Sequence, residues 1–160
     1  MTKKKLIIYA IAAFLLSVAT FIVLFGNPFI LKNNHDFGQS VRALDVDSIT
    51  LNELTSFEWD AVYTFPPYMP RQYMEEIIGF SSRYIKQTTS EGSTFVRENR
   101  VVCSIVGFPE GYSVFFSTVR GENYSKIKYT DNAVFSVKHR NDMITATGTY
   151  IPIVILSHTE

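Results

Sequence analysis

The order of apolar and polar positions divides the chain into a continuous apolar run, a polar stretch and a long region of mixed periodicity. From Leu6 to Phe25 it reads LIIYAIAAFLLSVATFIVLF, twenty residues without a charge. A helix lying on a soluble core would show a polar residue every third or fourth position. Here only Ser17 and Thr20 interrupt, and Tyr9 stands near one end, where an interfacial ring is favoured. At about 1.5 Å per residue the run measures roughly 30 Å, the thickness of a bilayer's hydrocarbon core. The pattern predicts a transmembrane helix over 6–25 with residues 1–5 as a cytoplasmic tip. Lys3, Lys4 and Lys5 precede the run, and by the positive-inside rule they stay in the cytoplasm while the bulk of the chain is translocated. Gly26, Asn27 and Pro28 break the helix. Ser17-Val18-Ala19 offers a small-x-small cleavage site. A mature chain would then begin close to Phe21–Phe25, so a retained anchor is expected over a cleaved leader. The absence of a nearby cysteine excludes a lipoprotein anchor.

Residues 26–42 are mostly polar, with Asn33-Asn34 and Gly38, and read as a stalk that lifts a domain formed by 43–160 off the membrane. Ala43 to Leu54 reads as a short helix or an irregular approach. Phe57 to Phe65 is rich in aromatic and β-branched residues; Trp59, Ala61, Tyr63 and Phe65 fall on one face at period two, the signature of a strand. Pro66-Pro67 ends it. Pro70 at a first helical position, the pairs Tyr73/Ile77 and Met74/Ile78, and Gly79 as terminator predict a helix over 71–78. Ser81 to Gly92 reads as a loop.

Period two then dominates. Ser93 to Val106 gives one strand, or two with a turn at Glu98-Asn99. Gly107 to Gly111 is a turn, Tyr112 to Val119 a strand, and Arg120 to Tyr124 another turn. Strands at Ser125–Thr130 and Ala133–Arg140 flank Asp131-Asn132, Asn141-Asp142 marks a hairpin, and Met143–Thr149 alternates. Tyr150 to Leu156 is a strand whose Pro152 requires an edge or a bulge. The fold expected is α+β: an N-terminal transmembrane helix, then a mostly antiparallel sheet of four to six strands in meander order, with one short helix packed on it.

Charge and cysteine usage narrow the functional classes. Residues 1–32 hold four lysines and no acid, while 33–160 hold eleven Lys and Arg against fifteen Asp and Glu, a net charge of about −4. A mildly acidic domain without clustered cations is a poor nucleic-acid binder. The single Cys103 forbids an intramolecular disulfide, and in the apolar setting VVCSIV it reads as a small buried hydrophobe. His35, His139 and His158 lack zinc-ligand spacing, so no metal and no cofactor is expected. Ser104 lacks a G-x-S-x-G setting, and Asp45-Val46-Asp47-Ser48 is too short for a calcium loop.

The most individual stretch is Phe57-Glu58-Trp59-Asp60-x-Val62-Tyr63-x-Phe65-Pro66-Pro67-Tyr68. It resembles a motif of small exported or membrane-anchored bacterial proteins in which F-x-W-D, an aromatic strand, a P-Y turn and a short helix follow one another. The resemblance covers roughly residues 50–80 and implies topology and fold, with no activity attached. Glu58 and Asp60 flank Trp59 and, on a strand, would share the opposite face. Such a pair can serve acid–base work or bind a cation, or Asp60 can simply hold the fold by bonding a backbone N–H or pairing with an arginine such as Arg97, Arg100 or Arg120. Tyr63, Phe65, Tyr68 and Tyr73 surround the prolines and can grip a peptide or glycan, or pack as a turn on the sheet.

These observations lead to the expectation of a binding or interaction domain at the outer face of a bacterial cell membrane, with Glu58, Trp59, Asp60, Tyr63 and Tyr68 as candidate binding residues. Its partner would be another envelope protein or, in an immunity role, an exported toxin. The alternative is a small envelope hydrolase or ligand-binding domain using Glu58, Asp60 and the neighbouring tyrosines.

Overall fold

The computed structural model describes residues 3–106, 112–115, 123–144 and 150–158. The protein is α+β. Helix α1 (Lys3–Phe25) is followed by α2 (Pro28–Arg42), β1 (Ser48–Thr50), α3 (Leu51–Leu54), β2 (Ala61–Phe65), α4 (Arg71–Ile78), β3 (Gly92–Arg97), β4 (Arg100–Val106), β5 (Tyr112–Phe115), β6 (Ser125–Lys128), a 3-10 turn (Tyr129–Asp131), β7 (Val134–Ile144) and β8 (Tyr150–His158). Among the described residues the strands form two four-stranded sheets, β4-β3-β2-β6 and β1-β7-β8-β5, antiparallel throughout except where β5 runs parallel to β8.

The single meander sheet expected from the sequence is therefore corrected to two sheets. Consecutive β6 and β7 belong to different ones. Between them Asp131 accepts the Lys128 N–H through its carboxylate at 2.7 Å, and Asn132 adopts a left-handed conformation (φ 47°), so the chain turns out of one sheet and into the other.

The stalk is corrected as well. Residues 28–42 form a packed helix whose Ile30, Phe37, Gly38 and Val41 are buried. With Asn33 and Asn34 these residues make one stripe at helical spacing, and the two amides serve the edge of β4. Asn33 Nδ2 donates to the Val102 carbonyl at 2.8 Å, and Asn34 Oδ1 accepts the Ser104 N–H at 2.9 Å. Val102 is the extra residue of a bulge, since Phe95 pairs with Cys103 and Val96 with Val101. A polar pair on the inner stripe thus replaces ladder bonds that the edge strand would otherwise lack.

Two hydrophobic clusters lie on opposite faces of the β2 sheet. Phe37 and Val41 of α2, Leu51 and Leu54 of α3, Trp59, Val62, Phe95, Cys103, and Phe135 and Leu156 from the other sheet form the larger one. Phe37 stands at its centre, 5.6 Å from the Phe95 ring; burying such a side chain contributes about 1.5–3 kcal/mol. Ala61, Tyr63 and Phe65 face the second cluster, with Met74 and Ile78 of α4, Ile85 and Ile30. Ala61, Tyr63 and Phe65 thus share a face as expected, but Trp59 does not join it. Trp59 precedes the strand and enters the opposite cluster.

Several local expectations hold. Gly79 ends α4 at φ 93°, and Met74 and Ile78 form its buried pair; Pro70 is instead the cap residue before the helix, and Tyr73 is exposed, so its pair with Ile77 is not buried. Glu98 and Asn99 turn the β3–β4 hairpin with φ 48° and 58°. Asn141-Asp142 is no hairpin. Arg140 pairs with Ile153 and Met143 with Ile151, so these two residues form a bulge opposite Pro152, which has no N–H to offer them. The turns read at 107–111 and 120–122, and the alternation over 145–149, lie outside the described residues. Among the described residues no helix is long and apolar enough to cross a membrane.

Candidate functional site

Glu58, Trp59 and Asp60 occupy the loop between α3 and β2. The helix α3 is fixed by a reciprocal cap, in which Thr50 Oγ1 accepts the Glu53 N–H at 3.2 Å and the Thr50 N–H donates to the Glu53 carboxylate at 3.1 Å. Just beyond this helix, Thr55 accepts the Trp59 Nε1–H at 2.9 Å. The indole meets Phe95 and Tyr129 edge-on at 5.5 and 5.3 Å and is 3% exposed. Trp59 is thus a core residue with its one polar atom satisfied.

The two carboxylates have separate tasks. The Asp60 N–H donates to Val96 O at 2.8 Å, and Asp60 O accepts the Tyr129 N–H at 2.9 Å, so its backbone continues the sheet on both sides. Its carboxylate accepts the Glu98 N–H at 2.8 Å and thereby holds the hairpin turn. Glu58 forms an ion pair with Arg97. Both residues border a cleft of about 440 Å³ shared with Asn52, Thr55 and Tyr129. Each carboxylate already has a partner within the fold, so the cleft offers no spare acid and base side by side. Of the two partners the sequence offered for Asp60, the backbone amide is the one it takes, while Arg97 pairs with Glu58 instead.

Tyr63 and Tyr68, the other two candidate residues, are not alike. Tyr63 is buried, stacked at 7° on Phe65 with Lys126 Nζ 5.1 Å from its ring. Tyr68 is 65% exposed and held at φ 63°, a conformation that an aromatic residue rarely adopts. Two bonds to one loop impose it: the Tyr68 N–H donates to Thr88 O at 2.8 Å, and Gln87 Nε2 donates to Tyr68 O at 3.1 Å. Strain of this kind is retained where the surroundings over-determine it, often at sites that meet a ligand. The ring overlooks a cleft of about 630 Å³ lined by Pro66, Pro67, Met69, Pro70, Tyr73, Ile77, Asn123 and Tyr124. Tyr73 is 60% exposed, and Phe65 supports Tyr124 from below at 6.1 Å. Among the described residues its lining carries no formal charge and presents aromatic and proline faces with one amide at the rim.

The remaining reactive groups are structural. Cys103 is fully buried, and burial pushes its thiol far above the ordinary range, which suppresses the thiolate. Burial also pushes the Tyr112 hydroxyl up to about 12, with Cys103 acting in the same direction and Arg42 in the other. Among the described residues no group of three His, Cys, Asp or Glu side chains is placed to hold a metal ion. The sequence grouped Tyr73 with Tyr68 around the prolines but missed Asn123 and Tyr124, because β6 is brought beside β2 only by long-range pairing. The chain matches no family model, no curated protein and no solved structure. The chemistry of the site therefore rests on its own residues.

Proposed function

We infer that the protein is a membrane-tethered binding domain that takes a protein partner at the outer face of a bacterial cell membrane, through the cleft between Tyr68, Tyr73 and Tyr124. The aromatic–proline cleft carries this reading: it joins an exposed, conformationally pinned tyrosine to uncharged apolar walls, and rigid rings bind a partner with little loss of side-chain entropy. The tether is supported by the uncharged run from Leu6 to Phe25 and by the exposure of Ile7, Ile8, Tyr9, Ile11, Phe14, Leu15 and Leu16 in α1, an apolar surface that water does not tolerate on an isolated domain. The lysines before it favour a single pass with the N-terminus inside and the C-terminal domain extracytoplasmic. An immunity protein or an accessory subunit of an envelope complex fits this arrangement. The hydrolase alternative has a cleft at Glu58 and Asp60 but no spare carboxylate in it.

Affinity capture of the tagged full chain from detergent-solubilised membranes, with protease access to the tag in spheroplasts, tests the reading. A partner held by the wild type and by Glu58→Gln but lost from Tyr73→Ser supports it. A partner held equally by Tyr73→Ser, or none at all, overturns the cleft as its site, and a protected tag overturns the orientation.

A further inference from the structure

A second cleft, of about 390 Å³, lies where α1 gives way to α2. Its wall includes Asn27 and Phe29 from the chain just past α1, Phe80, Ser82 and Tyr84 from the loop after α4, and Arg100 at the start of β4. The exit of α1 is fastened to this wall. Gly26 adopts φ 91°, Asn27 caps α2 by accepting the Phe29 N–H at 3.0 Å, and the Asn27 N–H donates to the Tyr84 hydroxyl at 2.7 Å. Arg83 donates to the same hydroxyl at 2.7 Å, its guanidinium 5.0 Å from the Tyr84 ring.

The surroundings are unlike the rest of the domain. Phe29 is 75% exposed, although it stands only four residues beyond the last apolar residue of α1. Arg100 lines the cleft and Arg83 is bonded to Tyr84 of its wall, so two cations stand by it in a domain whose net charge is negative. Glu75, near the start of the loop that supplies Ser82 and Tyr84, is engaged by Arg71 at 2.7 Å and by Ser81 and the Ser82 N–H. That arrangement sets the neighbouring loop without aiming a carboxylate into the cleft.

We propose that this cleft takes the headgroup of an anionic phospholipid from the leaflet through which α1 leaves, with Phe29 among the tops of the acyl chains and Arg100 meeting the phosphate. The inference rests on the tethered reading, since only a membrane-spanning α1 brings the cleft to the headgroup layer. Charge and proximity together select the ligand: a cationic rim beside an exposed ring, fastened two residues past the end of α1, complements an anionic interface. The domain then sits on the bilayer surface instead of standing away from it.

The test uses the full chain in detergent, titrated with dihexanoyl-phosphatidylglycerol, dihexanoyl-phosphatidylcholine or inorganic phosphate and followed by native mass spectrometry. The expected result is a one-to-one adduct with phosphatidylglycerol that weakens about fivefold in Arg100→Gln, the worth of one cation at an anionic surface. Arg100→Lys should retain it, and Lys138→Gln, exposed on β7, should leave it unchanged. Equal retention of phosphatidylcholine, binding of inorganic phosphate alone, or an adduct indifferent to Arg100→Gln overturns the proposal. Alkali-resistant sedimentation of the chain with vesicles reads the tether separately. Failure there removes the tethered reading, whereas sedimentation without a phosphatidylglycerol adduct removes only the headgroup site.

Discussion

The first and second halves of the Phe57–Tyr68 motif, adjacent in the chain, are used in opposite ways. From Phe57 to Asp60 every side chain is turned inward or committed: Trp59 packs edge-on against Phe95 and Tyr129, Asp60 holds the Glu98 amide, and Glu58 faces Arg97. From Pro66 to Tyr68 the backbone is what is committed, through Thr88 and Gln87, and the side chains are displayed. Residues with the more familiar reactive chemistry thus do the structural work, and the ones with little intrinsic reactivity are left to meet a partner. A carboxylate's partners, more than its position in a motif, decide whether it is available.

Substitutions at three positions can break that contrast. The largest effect is expected at Trp59→Ala, which empties the space between Phe95 and Tyr129 and removes the bond to the Thr55 hydroxyl. Loss of an aromatic core residue costs about 3–5 kcal/mol, read as a drop in the urea midpoint of the full chain in detergent. Asp60→Ala removes a charge-assisted bond to one exposed amide and should cost about 1–2 kcal/mol, with hydrogen-exchange protection lost first at Glu98. Tyr68→Gly sharpens the contrast from the other side. Glycine accepts φ 63° without strain, so stability should change by no more than about 1 kcal/mol in either direction, while capture of the partner is lost. If Tyr68→Gly instead unfolds the domain, the displayed half is structural too.

Much of the local structure was legible because it depends on residues that are particular about backbone. Gly79 announced the end of α4, Glu98-Asn99 the turn of a hairpin, and Pro152 the bulge opposite it. What the sequence concealed is carried by polar residues in unusual places. Asn33 and Asn34 fall on the buried stripe of α2, so its helical period was broken where it mattered, and a packed helix read as a stalk. The division into two sheets turns on Asn132 and the 3-10 turn before it, which look from sequence like any tight hairpin. Of the candidate site, Tyr68 and its prolines were legible as an aromatic turn. Tyr73 was grouped with it, but Tyr124 was not, since it reaches the turn through the pairing of β6 with β2 across some sixty residues of chain.

The contact of α2 with β4 bears on how this protein can be handled. β4 is an outer strand, and an outer strand with open N–H and C=O groups is a template for another molecule. The asparagine amides of α2 occupy part of that template, so α2 acts as a guard against self-assembly as well as a piece of the core. A soluble version cut after Arg42, the boundary that a polar linker would suggest, would expose this edge and the place of Phe37 together. A version that begins before Asn27 keeps the guard, along with the cap that starts its helix.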